Sequence, residues 1–125
     1  MAKTTSLVLG VVFVLVAVLG MIGTPIVGSD TGALFHTNTA HDLVHLIVGL
    51  VLLAVALFAV DKAALVLKVV GVVYLLVALL GFVMTSPLLG FIEVNGADNW
   101  LHVVLGVVIL ALGFASSKDE ASPIA

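Results

Sequence analysis

The sequence predicts an all-α integral membrane four-helix bundle, made by tandem duplication of one helix-loop-helix hairpin. Three observations carry this. Of 125 residues, 63% are hydrophobic and 9% charged, and the mean hydropathy is +1.44. Soluble domains average about 45–50% apolar and about 25% charged, so this chain has too few charges to coat a soluble globule. Four apolar runs approach or reach the roughly 17–25 helical residues that cross a hydrocarbon core. Finally, a polar motif at the head of the second run recurs at the head of the fourth.

The runs predict helices over 6–23, 39–60, 63–84 and 96–114, within a single transmembrane domain over 1–115, followed by a short polar tail over 116–125. In lipid only helices or closed barrels satisfy every backbone group, and the runs are too long and unbroken for barrel strands. The first run follows Lys3 as a signal peptide would, but no small-x-small cleavage site follows it, so it is expected to stay as a membrane helix. Pro25 and Pro87 each end an apolar run. Asn38 and Asn95 are good N-caps for the second and fourth helices. Asp98 puts a negative charge at a helix N-terminus. Asp61 and Lys62 are the only polar break between the second and third helices, which are therefore expected to form an antiparallel hairpin.

Residues 38–49 read NTAHDLVHLIVG and residues 95–106 read NGADNWLHVVLG, a shift of 57. Asn38 falls on Asn95, His41 on Asp98, His45 on His102 and Gly49 on Gly106. The preceding helices also match: 9–24, LGVVFVLVAVLGMIGT, lies over 70–85, VGVVYLLVALLGFVMT, at a shift of 61. Two helices per copy return the chain to its starting side, so the copies are parallel and their pseudo-two-fold axis runs along the membrane normal. Gly10, Gly20, Gly71 and Gly81 stay in register and mark close helix crossings. Lys3, Lys62 and Lys118 lie on the terminal side, and Lys68 can snorkel to it. The positive-inside rule then puts both termini in the cytoplasm, the bundle in the cytoplasmic membrane, and the Asn/His/Asp motifs outward.

The segments AHDLVHLIVG and NGADNWLHVVLG resemble the small bacterial membrane family catalogued as domain of unknown function 4383, and the likeness spans about 7–114. Asp42 stands where the family pattern leads one to expect Asn. The resemblance implies a four-helix membrane protein and supplies no activity.

Residues four apart share a helix face, so His41, His45 and Gly49 form one stripe and Asp98, His102 and Gly106 its counterpart. Ionisable groups in a membrane are costly and face the bundle interior. The leading reading is non-enzymatic, a scaffold or accessory subunit. Its buried hydrogen-bond cluster would join His45 and His102 to each other or to Asp98, Asn38 and Asn95. The alternative is a transition-metal site of His41, His45, Asp98 and His102, with Asp42 and Asn99 orienting the rings. In a variant His45 and His102 are axial ligands of a haem, with room left by Gly49 and Gly106, or else those glycines mark helix packing. A transporter or oligomeric channel comes third, because the inner half carries almost no polar group beyond Lys68. Homo-oligomers and larger membrane complexes fit this composition as partners beside the bilayer. A net charge of −3 with no basic stripe excludes nucleic acid, and the lack of cysteine excludes disulfides and thiolate sites. The sequence has no G-x-S-x-G, phosphate loop or HExxH. Asp30-Thr31-Gly32 is read as a loop turn, His36 as solvated, and Trp100 as an interfacial anchor; Tyr74 is read as an anchor or a packing residue.

Overall fold

The computed structural model describes residues 1–121, and within α4 side chains are described up to Ser117. Helix α1 spans Ala2–Ile22, α2 Thr39–Phe58, α3 Ala63–Val83 and α4 Gly96–Ala121. Each contains a window apolar and long enough to cross a membrane, and only 28–33% of each window is buried within the chain. The remaining surface carries exposed Val8, Leu15, Ile47, Leu65, Leu76 and Val104, apolar residues suited to contact with acyl chains. This is a multi-pass membrane protein.

The helix ends follow from local chemistry. Gly23 closes α1 in the left-handed region (φ 83°) and donates its N–H to the Leu19 carbonyl, a conformation glycine adopts without a Cβ clash. The Asn38 side chain accepts from the His41 N–H at 3.0 Å, and the Asn95 side chain accepts from the Asp98 N–H at 3.0 Å. Helix α4 continues past the expected end at residue 114, because no breaker intervenes; Ser117 turns its hydroxyl back onto the Gly113 carbonyl at 3.1 Å. Residues 116–121 of the expected tail thus extend α4, and residues 122–125 lie outside the described residues.

The bundle consists of two tight pairs, α1 with α2 and α3 with α4. Gly10 and Gly49 let the first pair approach until a Cβ on Gly49 would sit 2.9 Å from the Gly10 carbonyl oxygen. Gly71 and Gly106 do the same in the second pair, where a Cβ on Gly71 would sit 2.7 Å from the Leu110 amide nitrogen. Between the pairs contact is sparse, even for α2 and α3, which are joined only by the 3-10 turn Val60–Lys62. A short connection brings those two helices together at one end, but without facing glycines they do not pack closely along their length.

Contacts between the copies obey the two-fold symmetry. Asn38 Nδ2 donates to the Phe91 carbonyl at 2.8 Å, and Asn95 Nδ2 donates to the Leu34 carbonyl at 3.0 Å. Residues 34 and 91 are related by the same shift as 38 and 95. Residues that are each other's mates meet near the axis: Phe13 and Tyr74 stack with centroids 5.3 Å apart. His36 Nε2 meets a Glu93 carboxylate oxygen at 2.7 Å. His36, expected to be solvated, keeps only 14% of its side chain exposed because that pair draws it over the bundle mouth. The first connecting loop adds a two-residue parallel ladder, β1 (Val27–Gly28) with β2 (Phe35–His36). Its Asp30-Thr31-Gly32 segment is a turn in which Asp30 Oδ1 accepts from the Gly32 N–H at 2.9 Å.

Candidate metal centre

The first turns of α2 and α4 point their polar stripes at the axis, and the two loops close over them. His41, His45 and His102 are 3%, 7% and 2% exposed. One ring nitrogen from each lies within 4.8 Å of the others. The His41 ring sits 4.5 Å from His45 and 5.8 Å from His102, centroid to centroid, and His45 and His102 are 6.4 Å apart. Phe13 packs on His45 at 5.8 Å, and Tyr74 meets His102 edge-on at 5.3 Å, so the symmetric aromatic pair floors the cluster.

One imidazole is oriented by the backbone. His41 Nδ1 lies 2.6 Å from the Glu93 carbonyl oxygen, a contact that puts the proton on Nδ1 and leaves Nε2 with a free lone pair. The Nδ1 atoms of His45 and His102 are buried and have no hydrogen-bond partner. A buried polar atom left unpaired costs roughly 1–3 kcal/mol.

The other expected site residues are placed differently. Asp98 is buried, but its Oδ2 accepts from the Asn95 N–H at 3.3 Å, completing a reciprocal cap, and it is not among the three grouped ligand atoms. Asp42 and Asn99 turn outward from the rings toward neighbouring helices. The carboxylate of Asp42 fills the notch over Gly20, and the Asn99 amide fills the notch over Gly81, donating to the Gly81 carbonyl at 3.0 Å. Neither is hydrogen-bonded to an imidazole among the described residues. Asn38 and Asn95 are committed to caps and loop carbonyls. Asp98, Asn38 and Asn95, which the hydrogen-bond reading offered beside a direct His45–His102 bond, are thus not joined to either imidazole among the described hydrogen bonds. Gly49 faces the Gly10 carbonyl and Val14 of α1, and Gly106 faces Leu75 of α3, so both pack against a neighbouring helix.

Two contributors leave no signal in residue order, and a third does. The Glu93 carbonyl is a backbone group, which residue identity does not reveal. Thr37, 1% exposed, comes from a loop. The axial pairing of Phe13 with Tyr74 was available from their register in the repeat.

A family model described as Domain of unknown function (DUF4383) matches residues 3–115. No curated protein and no solved structure matches the chain.

Proposed function

The chain belongs to the DUF4383 family, which carries no assigned activity, and from that premise we propose a membrane protein that holds one transition-metal ion among His41, His45 and His102. The observation that carries this is the convergence of three buried imidazoles, two with an unpartnered ring nitrogen, where two sparsely packed halves meet. Imidazole nitrogen suits zinc, copper, iron and nickel. At metal–nitrogen distances of about 2.0–2.1 Å, tetrahedral geometry sets ligand nitrogens about 3.4 Å apart. Small ring rotations from the present spacing, at most 4.8 Å, would reach that. The Glu93 carbonyl would orient His41 as an outer partner. Three protein ligands leave a fourth position, which the capping role of Asp98 does not fill.

This reading outranks a purely hydrogen-bonded cluster, because the unpartnered nitrogens are what such a cluster would have consumed. It also outranks haem, since the His41 ring lies against both other imidazoles. The ion would join α2 to α4 and so tie the hairpins together, consistent with a non-enzymatic accessory or scaffold role. By the lysine distribution the site lies at the outer face of the cytoplasmic membrane, with both termini inside.

The test is elemental analysis and Co²⁺ titration of protein purified without a histidine tag. We expect about one ion per chain, affinity at least 100-fold weaker in His45→Ala and His102→Ala, and unchanged stoichiometry in Asp98→Asn. Protein that carries no metal and takes none up would remove the proposal.

A further inference from the structure

An ion held among three buried imidazoles has to reach them, and the bundle leaves it few ways in. The gaps between α1 and α4 are walled by Val12, Val16, Leu19 and Leu101. They meet the acyl-facing surface, which an isolated divalent charge does not cross. The loop end is different. The connecting segments 23–38 and 84–95 carry Asp30 and Glu93 and no lysine or arginine, so a negative field draws cations to this end. Donor side chains there step inward by burial. The Glu93 side chain is 38% exposed and that of His36 14%. Asp98 and His41 beneath them are buried, and His36 lies close enough to both for their charges to interact. The His41 ring in turn stands 4.5 Å from that of His45.

The outermost two donors are already spaced almost as metal ligands. His36 Nε2 and a Glu93 carboxylate oxygen are 2.7 Å apart. An ion bonded to both at about 2.0–2.2 Å would set them about 3.4 Å apart in tetrahedral geometry, so the contact need open by less than about 1 Å. His36 Nδ1 faces the Asp30 carbonyl oxygen at 3.3 Å, which suits an N–H there and leaves Nε2 to take the ion. Glu93 serves two layers: its carboxylate faces His36, and its carbonyl oxygen lies 2.6 Å from His41 Nδ1.

We propose that His36 and Glu93 form a second, weaker site for a divalent transition-metal ion, the point of entry from which it passes to His41, His45 and His102. The proposal rests on the metal reading of the inner cluster. On capture the ion takes the Nε2 lone pair, and a proton held there leaves to water. On transfer inward the His36–Glu93 contact closes again over the filled site. A contact that served only as a latch would give the opposite kinetics, since weakening it would speed entry.

The experiment has two arms, both using Co²⁺ and the full chain in nanodiscs. In stopped-flow absorption, His36→Gln keeps a group able to bond Glu93 but lacks the imidazole; it should take up Co²⁺ at least tenfold more slowly and release it more slowly by the same factor. Glu93→Gln should also slow uptake at least tenfold. Asp61→Asn, which removes the same charge beside Lys62 at the far end of the bundle, should change neither rate. In equilibrium titration, the double variant His45→Ala/His102→Ala dismantles the inner site and should keep one weak Co²⁺ site per chain, weakened at least tenfold further by Glu93→Gln. Wild-type protein that takes up no Co²⁺ would remove both readings. Tight wild-type binding with uptake unchanged or faster in His36→Gln, or residual binding in the double variant that ignores Glu93→Gln, would overturn the entry site alone.

Discussion

Replacing Gly49 with alanine tests how the fold holds its histidines. Gly49 lies one turn below His45, and a methyl there would sit 2.9 Å from the Gly10 carbonyl oxygen, the Val14 amide nitrogen and Val14 Cγ2. Ordinary contact begins near 3.4 Å, so α1 and α2 must separate by about half an ångström. Two of the three obstructing atoms are backbone, and no rotamer change relieves them. Overpacking of this kind costs about 1–3 kcal/mol, while the intrinsic helix preference of alanine over glycine returns up to about 1 kcal/mol. With the full return subtracted the expected net loss is about 0–2 kcal/mol, centred near about 1 kcal/mol, read from SDS-induced unfolding in detergent followed by circular dichroism. Gly106→Ala, where a methyl would meet Leu75 Cδ2 at 2.8 Å and the Leu75 amide nitrogen at 3.0 Å, should lose a similar amount. Gly96→Ala is the control: nothing lies within 4 Å of its added methyl, and it should be neutral or slightly stabilising. If Gly49→Ala unfolds at or above the wild-type midpoint, or Gly96→Ala loses as much, close packing at the glycines is not what unites each pair.

The loop contacts make two further predictions. Asn38→Ala and Asn95→Ala each remove a cap and a bond to the opposite loop, and each should cost about 1–2 kcal/mol in the same unfolding assay. Glu93→Gln should cost under about 1 kcal/mol, with a difference from wild type that shrinks as salt is added, because the Glu93 side chain is 38% exposed and its pair with His36 is screened. The His41 contact is to the Glu93 backbone and should survive that substitution.

The architecture was legible because its causes are periodic. Run length, the constant shift between copies and the paired glycines are properties of residue order. The same order located both asparagine caps, whose chemistry is local. It failed where the outcome depended on competition between partners. Asp98 falls in register with His41, so symmetry nominated it as a ligand; in the fold its carboxylate finds the nearer Asn95 N–H. Asp42 and Asn99 flank the histidines in sequence, yet a helix turns adjacent residues about 100° apart, which carries both toward the glycines of the neighbouring helix. His36 looked like a loop residue in water, and only the two-fold closure brings Glu93 within 2.7 Å of it. Helix packing showed the same limit. The shortest connection joins α2 to α3, but contact follows the glycine faces rather than proximity along the chain.

The departure from symmetry at position 98 supplies the most direct test of the histidine cluster. His41 and Asp98 are mates, and so are Glu93 and His36. By the same two-fold operation that carries the Asn38–Phe91 bond onto Asn95–Leu34, an imidazole at 98 would face the His36 carbonyl as His41 faces that of Glu93. Asp98→His should therefore add a fourth ring to the three already gathered within 4.8 Å. It loses the long 3.3 Å cap to the Asn95 N–H, at a cost of about 1 kcal/mol or less. In wild-type protein loaded with Co²⁺, azide should perturb the visible spectrum by entering the fourth position; in Asp98→His that position is closed, so the spectrum should ignore azide while Co²⁺ affinity rises at least tenfold. If the histidines only fill space, the substitution acts as a lost cap alone: stability falls slightly, and neither affinity nor azide response separates the two proteins. Equal azide responses from two proteins that both bind Co²⁺ would instead show that the copies do not bring positions 41 and 98 around a common ion, whatever their register in the sequence.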